Sequence, residues 1–182
     1  MHTLEKGDII EIGTDASPWG MEGWATVNGQ IKYFFACPID AQDVDMLGTS
    51  TGTSSGQQVC GRLAVLVAVD LWSSMWKQDR IQLKVRGDNV TALTLLIKMR
   101  PDKDSPAMGI IARELALRLV ELSFPPEAVH TPGVAHVIAD SLSRIHAPGG
   151  SGVVSKDAHP ALQQAELSAL PTRDSAWYRA YK

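Results

Sequence analysis

Apolar and polar positions alternate with period two at the front of the chain and take up helical spacing behind it. "GDIIEIGTDAS" sets Ile10 and Ile12 on one side and runs into Asp15, Ser17 and Pro18, which predicts a strand that stops at Asp15. "EGWATVNGQIKYFFACPI" holds two β-rich runs around Asn28-Gly29, a dipeptide suited to the positive φ angles of a two-residue hairpin turn. Three antiparallel strands therefore come first. Residues 40–56 are rich in Asp, Gly, Ser and Thr and read as a loop.

From Gln57 to about Trp76 apolar residues cover most of a helix's circumference, which predicts a helix buried on more than one side. "RIQLKVRGDN" is a fourth strand with Ile81, Leu83 and Val85 on one face and Asp88 at its end. "NVTALTLLIKM" is a helix stopped by Pro101, and an amphipathic helix follows from about Ala107 to Leu122. "PEAVHTPG" reads as a short strand and turn, "VAHVIADSLSRI" as a last helix. The order is β-β-β-α-β-α-α-β-α, an α/β class with a mixed sheet.

At Ala147 the texture changes to the Gly/Pro/Ser stretch "APGGSGVV". The expected organisation is a body over residues 1–146 and a linker with a C-terminal extension over 147–182. Within the extension "ALQQAELSAL" has the composition of one helix, and "AWYRAY" that of an aromatic anchor for the body or a partner.

Composition narrows the partners more than the fold. The 182 residues are 45% hydrophobic, enough for one core. A formal charge of −3 argues against gripping nucleic acid by bulk electrostatics, so any such contact is local or metal-assisted. Cys37 and Cys60 lack CxxC spacing and sit among apolar neighbours, as free thiols do in a reducing compartment. "MHTLEKGDII" is no signal peptide, and no apolar run nears the roughly 18 residues of a membrane span. The expectation is a soluble, intracellular protein of cytoplasm or nucleus, neither secreted nor membrane-bound.

Three aspartates carry the candidate chemistry. Asp15 closes the first strand, Asp88 the fourth, and Asp140 sits on the last helix between core-facing residues. Strands whose ends meet at one sheet edge would gather these carboxylates, as a magnesium site requires: hard cations take oxygen ligands, and paired ions clamp both oxygens of a phosphodiester displacement. Singly, each aspartate also reads as a turn former or a helix cap.

"TDASPWG", "RGDN" and "HTPGVAHVIADSLSR" resemble three blocks of the ribonuclease H domain of retrotransposon reverse transcriptases, the last being similar to the family's HxPGxxNxxADxLSR signature. The resemblance covers residues 8 to about 146. It implies the ribonuclease H-like fold, a five-stranded mixed sheet with helices on both faces. It also implies hydrolysis of the RNA strand of RNA–DNA hybrids by two Mg²⁺ or Mn²⁺ ions, with Asp15, Asp88 and Asp140 as catalytic metal ligands and a polymerase domain as partner in cis or trans.

The fourth acid of that pattern is absent. The register of "LAVLVAVDLW" sets Gly61 where the family has a glutamate, Cys60 where an aromatic residue is common, and His136 where Asn precedes the Ala-Asp pair. Asp70 is nine residues beyond, about 13 Å along a helix axis. No other acid obviously stands in, for Asp40, Asp43 and Asp45 fall in the expected loop and Glu22 belongs to the hairpin entry. Gly61 either admits a close backbone or substrate, or marks a ligand lost by drift. Glycine brings the helix nothing locally, costing about 1 kcal/mol against alanine, which favours drift.

Ser17, Trp19, Arg86, Asn89 and His130 are candidate substrate contacts, each with a local alternative as turn, core or solvated residue. His136, one helical turn before Asp140, either pairs with it or lies on the surface. Two functions compete: a retroelement-derived ribonuclease H impaired at Gly61, and an inactive relic that binds nucleic acid or a polymerase. A different phosphodiester chemistry on the same fold is disfavoured by the HTPG…ADSLSR block.

Overall fold

The computed structural model describes residues 5, 7–76, 82–87, 106–120, 127–130 and 135–179. Strands β1 (Ile9–Ala16), β2 (Gly20–Val27) and β3 (Gln30–Pro38) lead, joined at β2–β3 by Asn28 and Gly29 with φ of 51° and 83°. Only residues tolerant of left-handed backbone close so tight a turn. Helices α1 (Ala41–Leu47), α2 (Ser54–Leu71) and α3 (Ser73–Trp76) follow, then β4 (Gln82–Gly87), α4 (Pro106–Leu119), β5 (Glu127–His130), α5 (Ala135–Ser143) and a two-residue β6 (Glu166–Leu167).

The strands form one mixed sheet in the order β5-β4-β1-β2-β3-β6. β1–β2 and β2–β3 are antiparallel; β1–β4, β4–β5 and β3–β6 are parallel. The sheet thus exceeds the five strands expected, because the C-terminal segment adds β6 beside β3. Helices cover both faces. Ile10, Ile12, Met21 and Phe35 meet α2 and α4 on one side through Leu63, Leu66, Ile111 and Leu115. Trp24 and Phe34 meet Ala139, Leu142 and Ile145 of α5 on the other. Trp24 lies flat across Gly13, where any Cβ would fall 2.2 Å from the indole.

Every α2 residue from Val59 to Val69 is buried, which accounts for its nearly continuous apolar run. Two expectations are corrected. Residues 41–47 are helical: Asp40 caps α1 by accepting from the Asp43 N–H while the Asp43 carboxylate accepts from the Asp40 N–H. "ALQQAELSAL" is no helix but a 3₁₀ turn at Pro160–Leu162 and then β6, because a backbone N–H of this segment bonds the sheet edge, Ser168 to the Phe34 carbonyl at 2.8 Å. The expected helix at "NVTALTLLIKM" lies outside the described residues. No helix among the described residues is long and apolar enough to cross a membrane.

The C-terminal segment is bound to the body by charge and by rings. Arg173, buried, donates from Nε and Nη2 to the Asp43 carboxylate at 2.6–3.0 Å, and Tyr178 OH donates to Asp43 Oδ1 at 3.0 Å. Asp70 of α2 accepts from Trp177 Nε1 and from Arg118 of α4, whose guanidinium lies 4.6 Å from the Trp177 ring centroid. Arg118 also pairs with Glu114.

Candidate active site

The end of β1 opens into a cleft of about 540 Å³ lined by Asp15, Ala16, Ser17, Pro18, Gln57, Val137, Asp140 and Ser143. Three elements build it. The β1–β2 turn is held by Ser17, whose Oγ accepts from the Trp19 and Gly20 N–H groups, both at 3.2 Å. The start of α2 is fastened to β1 by Gln57, which donates from Nε2 to the Ala16 carbonyl at 3.0 Å. The third wall is α5, which brings Asp140.

Asp15 and Asp140 thus share one cleft although they stand far apart in the chain. Asp140 is exposed and accepts from Arg144 one turn on, at 2.6 Å. Asp88 and Asn89 lie outside the described residues; β4 ends at Gly87, one residue before Asp88. Arg86 and His130 are placed by their backbones in β4 and β5. Ser17 lines the cleft. Trp19 does not: it is partly exposed and its ring stands against Gly52. Gly61 is buried in α2, one turn beyond Gln57. His146 packs over Gly20, and burial holds its imidazole below the usual range despite a bond to the Ala36 backbone.

One residue beside the cleft carries no functional signal in the sequence. The β1–β2 register sets Glu22 directly opposite Asp15, so the two side chains project from the same face. Two residues away along each strand are Gly13 and Trp24, so this is the face that α5 covers. Glu22 is 0% exposed, and neither carboxylate oxygen has a hydrogen-bond partner. Burial first, and the neighbouring Asp15 charge second, push its pKa up to about 9. A buried polar group left unmatched typically costs about 1–3 kcal/mol. Gln57, too, gives no signal in the sequence, since a glutamine at a helix start indicates only solvation; Glu22 is legible only by counting the register across the turn.

The donor set suits the divalent ion that the resemblance implies. Asp15 and Glu22 bring hard oxygen ligands side by side, and the Glu22 oxygens are claimed by nothing else. Among the described residues no three His, Cys, Asp or Glu side chains are grouped to hold a metal, so a full site needs an acid from outside them.

Solved structures share this architecture. The ribonuclease H1 of the halophilic archaeon Halobacterium salinarum superposes with a TM-score of 0.55 at 13% identity, over 76% of this chain and 96% of that one. LC11 ribonuclease H1, solved with an RNA/DNA hybrid, gives 0.55 at 18% identity over 74% and 92%. The foamy viral protease-reverse transcriptase, also solved with an RNA/DNA hybrid, gives 0.50 at 14% identity over 85% of this chain and 21% of that protein. No family model and no curated protein matches the sequence. At these identities the likeness is one of fold.

Proposed function

We propose, for a chain whose fold is ribonuclease H-like, that it is a retroelement-derived ribonuclease H, an endonuclease hydrolysing the RNA strand of RNA–DNA hybrids, slowed by the acid missing at Gly61. The observation that carries this reading is the meeting of Asp15 from β1 and Asp140 from α5 in one open cleft. Asp15, Asp88 and Asp140 are the residues that would hold Mg²⁺ or Mn²⁺, two ions if the site is complete. Such ions, when bound, activate a water nucleophile and stabilise charge on the leaving oxygen.

The remaining work falls to the chain. Asp15 and Asp140 set the negative field of the cleft, while Ser17 and Gln57 supply polar groups at its wall for a sugar-phosphate backbone. The net charge of −3 gives little long-range attraction, so the isolated domain holds a hybrid weakly and a polymerase domain, in cis or trans, supplies the grip. One of the two structures solved with hybrid, the foamy viral protein, is a reverse transcriptase, which supports a polymerase partner.

Cleavage of a labelled RNA–DNA hybrid in Mg²⁺ or Mn²⁺ tests the reading. Slow cutting by the parent chain, abolished by Asp15→Asn and raised about 10²–10³-fold by Gly61→Glu, is expected, the size borrowed from loss of one charge-stabilising group elsewhere. Fast cutting by the parent with no gain from Gly61→Glu would sink the impairment. The inactive relic, a nucleic-acid or polymerase-binding module, is favoured by one observation: α2 presents a buried glycine where the resemblance expects an acid. Hybrid binding without cleavage by either parent or Gly61→Glu would decide for it.

A further inference from the structure

Two of the described buried cations, Arg173 and Arg118, are engaged away from the cleft. Arg173 is spent on Asp43, and Arg118 on Asp70 and Glu114. Glu22 differs from those acids in being fully enclosed with both oxygens unpartnered. Its neighbour is fixed by the ladder: Asp15, directly opposite on the adjoining strand and on the same face. A buried carboxylate beside a second one is stabilised in its charged form by a shared cation, and a hard cation joins oxygens best.

We propose that Glu22 is a carboxylate ligand that joins Asp15 in holding a divalent cation at the β1–β2 wall of the cleft, a place distinct from the one α2 leaves without an acid at Gly61. This rests on the metal-site reading given above. No hydrogen bond anchors the Glu22 carboxylate, so turning it toward Asp15 breaks none. The short turn through Ser17, Pro18 and Trp19, tied by the Ser17–Gly20 bonds, holds the two strands in the register that pairs the acids. The ligand thus comes from a strand adjacent to Asp15 and does not depend on the position of α2.

Mn²⁺ binding to the full chain, by isothermal titration and by electron paramagnetic resonance, tests the assignment independently of turnover. Glu22→Gln should weaken Mn²⁺ binding by about tenfold or more, as loss of a supporting or ligating group does, and Asp15→Asn at least as much. Glu22→Asp should recover part of the loss. Metal-free unfolding midpoints of Glu22→Gln and Glu22→Asp at or near the parent's show that the fold is kept, and whichever variant folds carries the test. Mn²⁺ affinity of Glu22→Gln within about twofold of the parent, with Asp15→Asn defective, overturns the proposal and leaves the metal-site reading standing. No Mn²⁺ binding by the parent at millimolar concentration overturns both. Glu22-dependent Mn²⁺ binding without hybrid cleavage, even in Gly61→Glu, upholds the ligand and overturns the ribonuclease.

Discussion

Asp43 and Glu22 are both acids with no exposed surface, and the protein treats them oppositely. Asp43 accepts from Arg173, from Tyr178 and from the Asp40 N–H. Glu22 accepts from nothing and faces another acid. Buried charge is tolerated where the fold itself supplies donors, and there it is structural. Where the fold withholds them, the acid remains available to something from outside. The effect on Arg173 and Tyr178 agrees: although burial opposes the charged guanidinium, the Asp43 bond and charge raise the Arg173 pKa overall, and burial followed by the Asp43 charge raises that of the Tyr178 hydroxyl.

The contrast breaks most visibly at Arg173. Arg173→Ala leaves Asp43 enclosed without its cation, and should cost about 3–5 kcal/mol in denaturant unfolding, with most of it restored when Asp43 is also made apolar. Glu22→Gln goes the other way. In metal-free buffer it should raise stability by about 1–3 kcal/mol at pH 8, since an orphaned acid is removed. The sign follows from the raised pKa: the folded state holds the Glu22 proton more tightly than the unfolded one, so the parent loses stability as pH rises from its ordinary value of 4.5 toward about 9. Unfolding curves of parent and Glu22→Gln should therefore converge near pH 4 and separate above it. A constant gap across that range would mean packing, and not charge, distinguishes them. Smallest is Asp140→Ala, which removes an exposed pair with Arg144 and should change stability by about 0.5 kcal/mol or less while abolishing hybrid cleavage.

What the sequence revealed follows the same division. Ile10 and Ile12, the Asn28-Gly29 turn and the run from Val59 to Val69 declared themselves because period and turn chemistry are local properties. Asp15 and Asp140 declared themselves through flanking blocks. The α1 helix stayed hidden because its seven residues are too few to repeat the apolar face made by Val44, Met46 and Leu47, and its capping box uses Asp43 in place of the usual Glu or Gln. Within residues 147–179 the aromatic anchor at Trp177 and Tyr178 was legible, but the Arg173–Asp43 pair was not, because no short-range pattern encodes a partner so far along the chain. Glu22 lay in plain view, yet its meaning depends on a neighbour seven positions earlier in the chain and on the three-residue turn that aligns them.

The Arg173–Asp43 pair spans 130 positions of chain. During synthesis α1 leaves the ribosome long before the arginine that neutralises its buried acid, so Asp43 must stay hydrated while β4, α4 and α5 are still being made. Contacts of such long range form late and carry a loop-closure penalty. The Arg173 contact is accordingly a late one: sheet and helices can assemble first, and the seal over α1 follows once this distant segment docks.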